Sequence, residues 1–185
     1  MSTESPSSAA ENREALLASA RRLFAARGYH VALSAIARDA GVGQGSLYRH
    51  FPTRLDLALA IFEENFTVLE RIAASDPGPG CFLRLWRRLI GFTVESTAFV
   101  ETAVDARRQP VDYRGPERLV GLLSGPLARA QEAGLVDPAL TVGDLMLLQR
   151  MVYGAIVTEV DPAAASAVAV RALELVDERL AWGED

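Results

Sequence analysis

The chain has 185 residues, half of them apolar, enough for one sizeable core or two small ones. A net charge of −5 at first disfavours a nucleic-acid partner, and the single cysteine, Cys81, excludes an internal disulfide. No run approaches the roughly 18 consecutive apolar residues of a membrane span, and the polar start MSTESPSSAAEN lacks the apolar stretch of a secretory leader.

Residues 1–12 are therefore expected to form a disordered arm, and the protein to be cytoplasmic. Residues 10–27 predict a first helix, with Leu16, Leu17, Ala20, Leu23, Phe24 and Arg27 at helical spacing and Gly28 stopping it. Two short helices follow. One runs from about Ser34, a good N-cap, to Ala40, with Ile36, Ala37 and Ala40 on its apolar face. Gly41 supplies the sharp turn and Val42 plugs it. Gly43 or Gln44 opens the next helix, whose inner stripe is Leu47 and Phe51, and Pro52 ends it. Gln44, Gly45, Ser46, Tyr48, Arg49 and His50 are left for its outer and leading faces. A glycine turn between two short helices, with polar and basic side chains on the second, is the layout of a helix-turn-helix DNA reader.

A fourth helix spans about 54–74, with Leu55, Leu59, Phe62, Phe66, Leu69 and Ile72 inward or partly inward, and DPGPG at 76–80 breaks it. Residues 81–108 are apolar and predict two helices, carrying Trp86, Phe92 and Phe99. After a loop at 109–116, a helix over about 117–133 is expected to be disturbed at Gly125–Pro126. Thr141 or Asp144 caps a helix to about Glu159, and a last helix is expected over roughly 163–181. These two helices are apolar over broad faces: Leu145, Leu148, Val152 and Ile156 on one, Val168, Ala172, Leu175 and Val176 on the other. The faces suit either an intrachain core or a four-helix interface between two copies.

The exposed set on the second short helix suits DNA. Glutamine can pair bidentately with adenine, and serine reaches several base edges. Tyr, His and Arg donate to phosphate oxygens, and Gly45 lets the helix approach a base pair closely. The charge distribution agrees: residues 1–54 hold seven Arg against four acids, a balance of +3, while the rest carries −8. Every basic side chain is Arg, which reads as compositional bias.

Residues 13–62 strongly resemble the DNA-binding domain of the TetR family of bacterial transcriptional regulators. The resemblance is carried by the ordered run IA–x–x–AGV–x–x–GSLY–x–HF–x–x–R, from Ile36 to Arg54, preceded by Leu16–Leu17, Ala20, Leu23–Phe24, Gly28–Tyr29 and Ser34 and followed by Leu57. Gly43 stands where such proteins often have Ser or Thr, and Arg54 where Lys is common. The resemblance implies an all-α fold: a three-helix head (13–54), a connector helix (54–74) and a helical ligand-binding and dimerisation body (75–185). It implies a homodimer, here through residues 141–181, on palindromic double-stranded DNA, most simply a repressor released by a small, largely apolar effector. Gln44, Gly45 and Ser46 are then expected at base edges, and Ser34, Tyr48, Arg49, His50, Thr53 and Arg54 at phosphates.

For the effector, Phe62, Trp86, Phe92, Phe99 and Met146 are candidate apolar walls, with Gln149, Arg150 and Tyr153 as orienting groups. Aromatic and soft residues at helical spacing are more often core than pocket, and the polar ones suit a solvated or dimer-facing position; Trp86 is the strongest pocket candidate. Cys81 is read as a small buried hydrophobe, with a redox-sensing thiol as the alternative. No enzyme constellation is present: both histidines, His30 and His50, lie in the head, and no metal-ligand spacing, G-x-S-x-G or phosphate loop occurs. No catalytic residue, cofactor or metal is expected.

Overall fold

The structure, a computed structural model, describes residues 9–108, 114–159 and 161–181, with the backbone alone at Phe99, Ala103, Arg107, Arg108 and Pro162. All regular elements among the described residues are helical. In chain order they are α1 (Ala9–Arg27), α2 (Leu33–Asp39), α3 (Gln44–His50), α4 (Arg54–Ser75), α5 (Cys81–Glu95), α6 (Ala98–Arg108), α7 (Gly115–Glu132), α8 (Val142–Val157) and α9 (Ala165–Glu174). Short 3₁₀ turns occupy Pro162–Ala164 and Glu178–Leu180.

The head is α1, α2 and α3, closed over one apolar knot of Leu16, Leu17, Ala20, Phe24, Ile36, Ala37 and Leu47. Gly28 and Gly41 hold φ of +76° and +68°, the left-handed region that glycine reaches without a Cβ clash. Past Gly41, the Val42 N–H reaches back to the Ala37 carbonyl at 2.9 Å, closing the end of α2. A buried hydroxyl ties α1 to α2: Ser19 Oγ lies 3.1 Å from the Ile36 carbonyl and 2.5 Å from Asp39 Oδ2, which also pairs with Arg22. That hydroxyl and the arginine hold the Asp39 carboxyl below the usual carboxylate range.

Two expectations shift here. Helix α1 begins at Ala9, inside the segment read as an arm; residues 1–8 lie outside the described residues. The N-cap of α2 is Ala32, without a side-chain bond, and Ser34 is already helical and exposed. Leu33, packed against the core, accompanies a cap two residues earlier than expected.

Helix α4, 22 residues and therefore about 33 Å long, belongs to both halves of the molecule. Thr53 and Asp56 form a full capping box at its start. Its buried stripe, from Leu55 through Ile61 and Phe62 to Phe66 and Leu69, meets the head at one end and α5, α6 and α7 at the other. One continuous apolar core results.

In the body, α5 buries Phe82, Leu85, Trp86 and Leu89 completely. Helix α7 runs unbroken through Pro126, whose ring is buried, so the expected disturbance is absent. Thr141 and Asp144 cap α8 reciprocally. The last expected helix is shorter than its apolar pattern: α9 stops at Glu174, and Asp177 accepts from the Arg179 N–H to start a 3₁₀ turn that buries Leu180. No helix of the described residues is long and apolar enough to cross a membrane.

Candidate nucleic-acid interface and effector cavity

Leu47, fully buried, fixes the rotation of α3, so the opposite face must point outward. Gln44, Gly45, Tyr48 and Arg49 are exposed there, with Ser46 and His50 half-buried at the edges. Gly43 serves as N-cap without any side-chain bond, as its lack of a hydroxyl dictates. Arg49 Nε donates to the Gly45 carbonyl at 3.3 Å, which leaves its terminal nitrogens outward.

Gly45 is the most telling position. Its φ is not positive, and a Cβ built on it would meet no atom within 4 Å. Neither backbone nor packing calls for glycine, while glycine inside a helix costs about 0.5–1 kcal/mol relative to alanine. Gly121 and Gly154 of the body helices are equally open, so what sets Gly45 apart is its place on the outward face of α3.

The remaining DNA candidates divide. Ser34 stands exposed on α2. The Thr53 hydroxyl donates to Asp56 Oδ2 at 2.7 Å and accepts from the Asp56 N–H at 3.1 Å, so its proton is committed to the cap. The Arg54 guanidinium lies 5.6 Å from the Tyr29 ring centre, with Nη1 3.2 Å from His30 Nδ1. Arg54 Nε is buried without a hydrogen-bond partner among the described residues. Arg54 is thus part of the head's own packing as well as a cation near its surface.

Tyr29 also reaches the body. Its ring is buried against Phe24 and His30, and its hydroxyl donates to Asp105 Oδ2 on α6 at 2.7 Å. Burial and that carboxylate push the phenol well above its ordinary value of 10.0. On the outer side of α4, Arg118 of α7 bonds both Glu63 and Glu70, and its guanidinium lies 4.4 Å from the centre of the Phe66 ring.

The effector candidates separate in a similar way. Phe62 and Phe92 line a cleft of about 190 Å³ between α1, α4, α5 and the start of α6. Trp86 does not reach it: the side chain is fully buried, and the indole N–H donates to the Leu180 carbonyl at 3.1 Å. That bond satisfies the polar end of the ring, so a large aromatic does fill this bundle as core. Gln149 is spent on Thr93, its Nε2 donating to Oγ1 at 3.2 Å in a buried pair joining α8 to α5. Met146 packs partly buried on the core, and Arg150 is exposed. Tyr153 is half-buried, its hydroxyl raised by burial and by Glu101. The Phe99 side chain lies outside the described residues.

Sequence reasoning missed the head's share of the cleft, Phe24 and Ala25, and also missed Asn65. Asn65 carried a signal: it follows Ile61 by four and Phe62 by three, a polar side chain on an apolar stripe.

A three-helix head with a helix-turn-helix reader, on a helical body, defines a class of DNA-binding regulator. The family described as bacterial regulatory proteins, tetR family, matches over residues 16–61. A TetR transcription regulatory protein from Mycobacterium vanbaalenii is 30% identical, with a TM-score of 0.55, over 77% of this chain and 89% of that one. A TetR transcriptional regulator of Streptomyces coelicolor is 25% identical, with a TM-score of 0.60, over 93% and 99%. The HTH-type transcriptional activator FasR of Mycolicibacterium smegmatis is 43% identical over 56 residues, 30% of this chain but only 26% of that protein's length. The chain belongs to the TetR family of bacterial transcriptional regulators.

Proposed function

We propose that this protein is a cytoplasmic, homodimeric repressor, without enzymatic activity, that holds a palindromic operator until a small, largely apolar effector releases it. The observation that carries the DNA half is α3: an outward face of Gln44, Gly45, Tyr48 and Arg49, with a glycine that the fold does not need. Gln44, Gly45 and Ser46 read bases; Ser34, Tyr48, Arg49, His50 and the free edge of Arg54 hold phosphates. Thr53 acts through the cap that positions Arg54.

Two-fold symmetry of the operator needs two readers, and the body offers a face for pairing. Leu145, Leu148, Val152 and Ile156, one of the faces in question, are buried within the chain. Among the described residues of the body, the large apolar side chains left exposed are Val120 on α7, Leu147, Met151 and Val157 on α8, and Leu175 and Val176 just after α9. Residues 147 and 151 are one turn apart, so they form a stripe, and burying it in a second copy removes apolar surface from water. Phe62 and Phe92 of the cleft support the effector half.

Selection of duplexes from a random pool, with sequencing of the bound fraction, tests the reading. An inverted repeat is expected, with half-sites one turn of DNA, about 34–36 Å, or a multiple apart. Leu147→Glu with Met151→Glu should give a monomer by light scattering and lose the repeat. A pool that never enriches, or enriches a single half-site with a monomeric wild type, refutes it.

A further inference from the structure

We propose that the cleft between head and body is the effector site, and that it takes a neutral molecule with one aromatic ring and one amide-like group. This rests on the reading of the chain as a ligand-responsive regulator and specifies where, and by what chemistry, the ligand is held.

Size and lining set the ring. An apolar cavity of about 150 Å³ lined by Leu, Ile and Phe stays dry and binds benzene. The cleft here is somewhat larger, about 190 Å³, and its apolar walls come from Phe24, Ile61, Phe62 and Phe92, all buried side chains. A single ring with a small substituent fills that volume, whereas pockets for drug-sized ligands begin near 300 Å³.

Charge sets neutrality. Two charged residues line the cleft, Arg21 and Glu95, and each is already answered: Arg21 by Glu64, and Glu95 by Arg88, whose guanidinium lies 3.9 Å from the centre of the Phe92 ring. A carboxylate ligand would have to displace a protein carboxylate to gain a partner. Asn65 sets the polar end. Its side chain makes no hydrogen bond among the described residues, although it lines a cleft that is otherwise mostly apolar. A carboxamide offers both a carbonyl acceptor and N–H donors, so a ligand amide satisfies both at once. The Ser96 hydroxyl lies at the same cleft.

Placement makes the cleft regulatory. One wall is Phe24 and Ala25 of α1, in the head; the facing wall is Phe92 of α5 and Ala98 of α6, in the body. A molecule that touches both walls binds one head–body angle better than another, and by that difference alone it shifts the equilibrium between them. The Tyr29–Asp105 hydrogen bond joins the same two parts, α6 and the segment just after α1.

The test uses the full chain, benzamide as probe, and benzoate and toluene as controls, with binding read by ligand-observed NMR and folding by thermal melts. Benzamide should bind, and benzoate about tenfold more weakly, as the loss of one well-placed polar contact predicts. Asn65→Leu should weaken benzamide about tenfold and leave toluene unchanged. Ala25→Phe, which carries a ring into the cleft, should exclude both. Benzamide should also lower affinity for the selected duplex in wild type but not in Ala25→Phe. Benzamide binding that neither substitution alters, or that leaves duplex affinity unchanged in wild type, overturns the proposal while the regulator reading stands. Failure to enrich any duplex overturns that reading instead, whatever benzamide does.

Discussion

Replacing Gly45 by Ala should move stability and DNA affinity in opposite directions. The backbone at Gly45 is not left-handed, and an added Cβ would have no neighbour within 4 Å, so alanine enters without strain. Alanine restricts the unfolded chain and favours the helix by about 0.5–1 kcal/mol. For a chain of this size that raises the melting temperature by about 1–4 °C. On DNA the same methyl occupies the gap through which α3 is read as approaching a base pair. Forfeiting one such contact costs about 1–3 kcal/mol, roughly five- to 150-fold in Kd. Calorimetric melts measure the first quantity, and fluorescence anisotropy on the selected duplex at fixed salt measures the second. A variant that melts higher yet binds with wild-type affinity removes Gly45 from the interface. One that melts lower refutes the claim that the fold has no need of glycine there.

Arg49→Ala should weaken binding across all duplex sequences and reduce the salt slope by about one unit without changing the melt, because Arg49 is exposed and touches only its own helix. Arg54→Ala should do the same and also cost about 1 kcal/mol of stability, since it removes a cation from the Tyr29 ring. Equal melts for the two variants would refute the distinction. Tyr29→Phe keeps the buried ring but loses the bond to Asp105, which should cost about 1.5 kcal/mol as a hydrogen bond to a charged group. Because the folded-state pKa of this phenol is raised, the bond is fully present below the ordinary value of 10.0 and is lost only as pH climbs through the raised value. The deficit of the Phe variant should therefore be constant between about pH 6 and 9 and shrink only in stronger alkali; a deficit that varies across neutral pH contradicts this. Cys81 is fully buried and its thiol is pushed up by that burial, so native protein should resist iodoacetamide at neutral pH and react once unfolded. Rapid labelling of the native chain would restore a sensing role.

What could be read from sequence followed from how local its causes are. Gly28 and Gly41 were legible because a left-handed residue must sit where a short helix turns back, and Leu47 and Phe51 because four-residue spacing marks one helical face. Thr53 was read as a phosphate contact and not as a hydroxyl already spent on Asp56, because the same residue types serve caps and phosphates. The packing of Trp86 was not legible because its polar partner is the Leu180 carbonyl, 94 positions away, which no local pattern announces. The end of α9 was invisible for a related reason: residues 163–176 are apolar at helical spacing throughout, and only burial of both Leu173 and Leu180 forces the chain to change course between them. The cleft is a property of how α1 meets α4, α5 and α6, so its residues were scattered among stripes that each read as ordinary core.

The two joints between head and body differ in kind, and the difference decides what can move. Helix α4 crosses the junction without interruption, and its body half is clamped to α7 by Arg118, which bonds Glu63 and Glu70 while covering Phe66. Helix α1 is tied to α4 by the exposed Arg21–Glu64 pair, worth little in water, and its side of the head meets α6 through the Tyr29–Asp105 bond and the packing around an incompletely filled cleft. Re-angling the head about α4 therefore means giving up the Tyr29–Asp105 bond, about 1.5–3 kcal/mol, and disturbing the exposed Arg21–Glu64 pair, which adds little. Couplings between ligand sites are commonly 1–3 kcal/mol. An effector with no more than that preference for one angle is enough to shift the head, and in the dimer proposed above, with its readers on half-sites of fixed spacing, a small angular change in each subunit would be felt twice by the DNA.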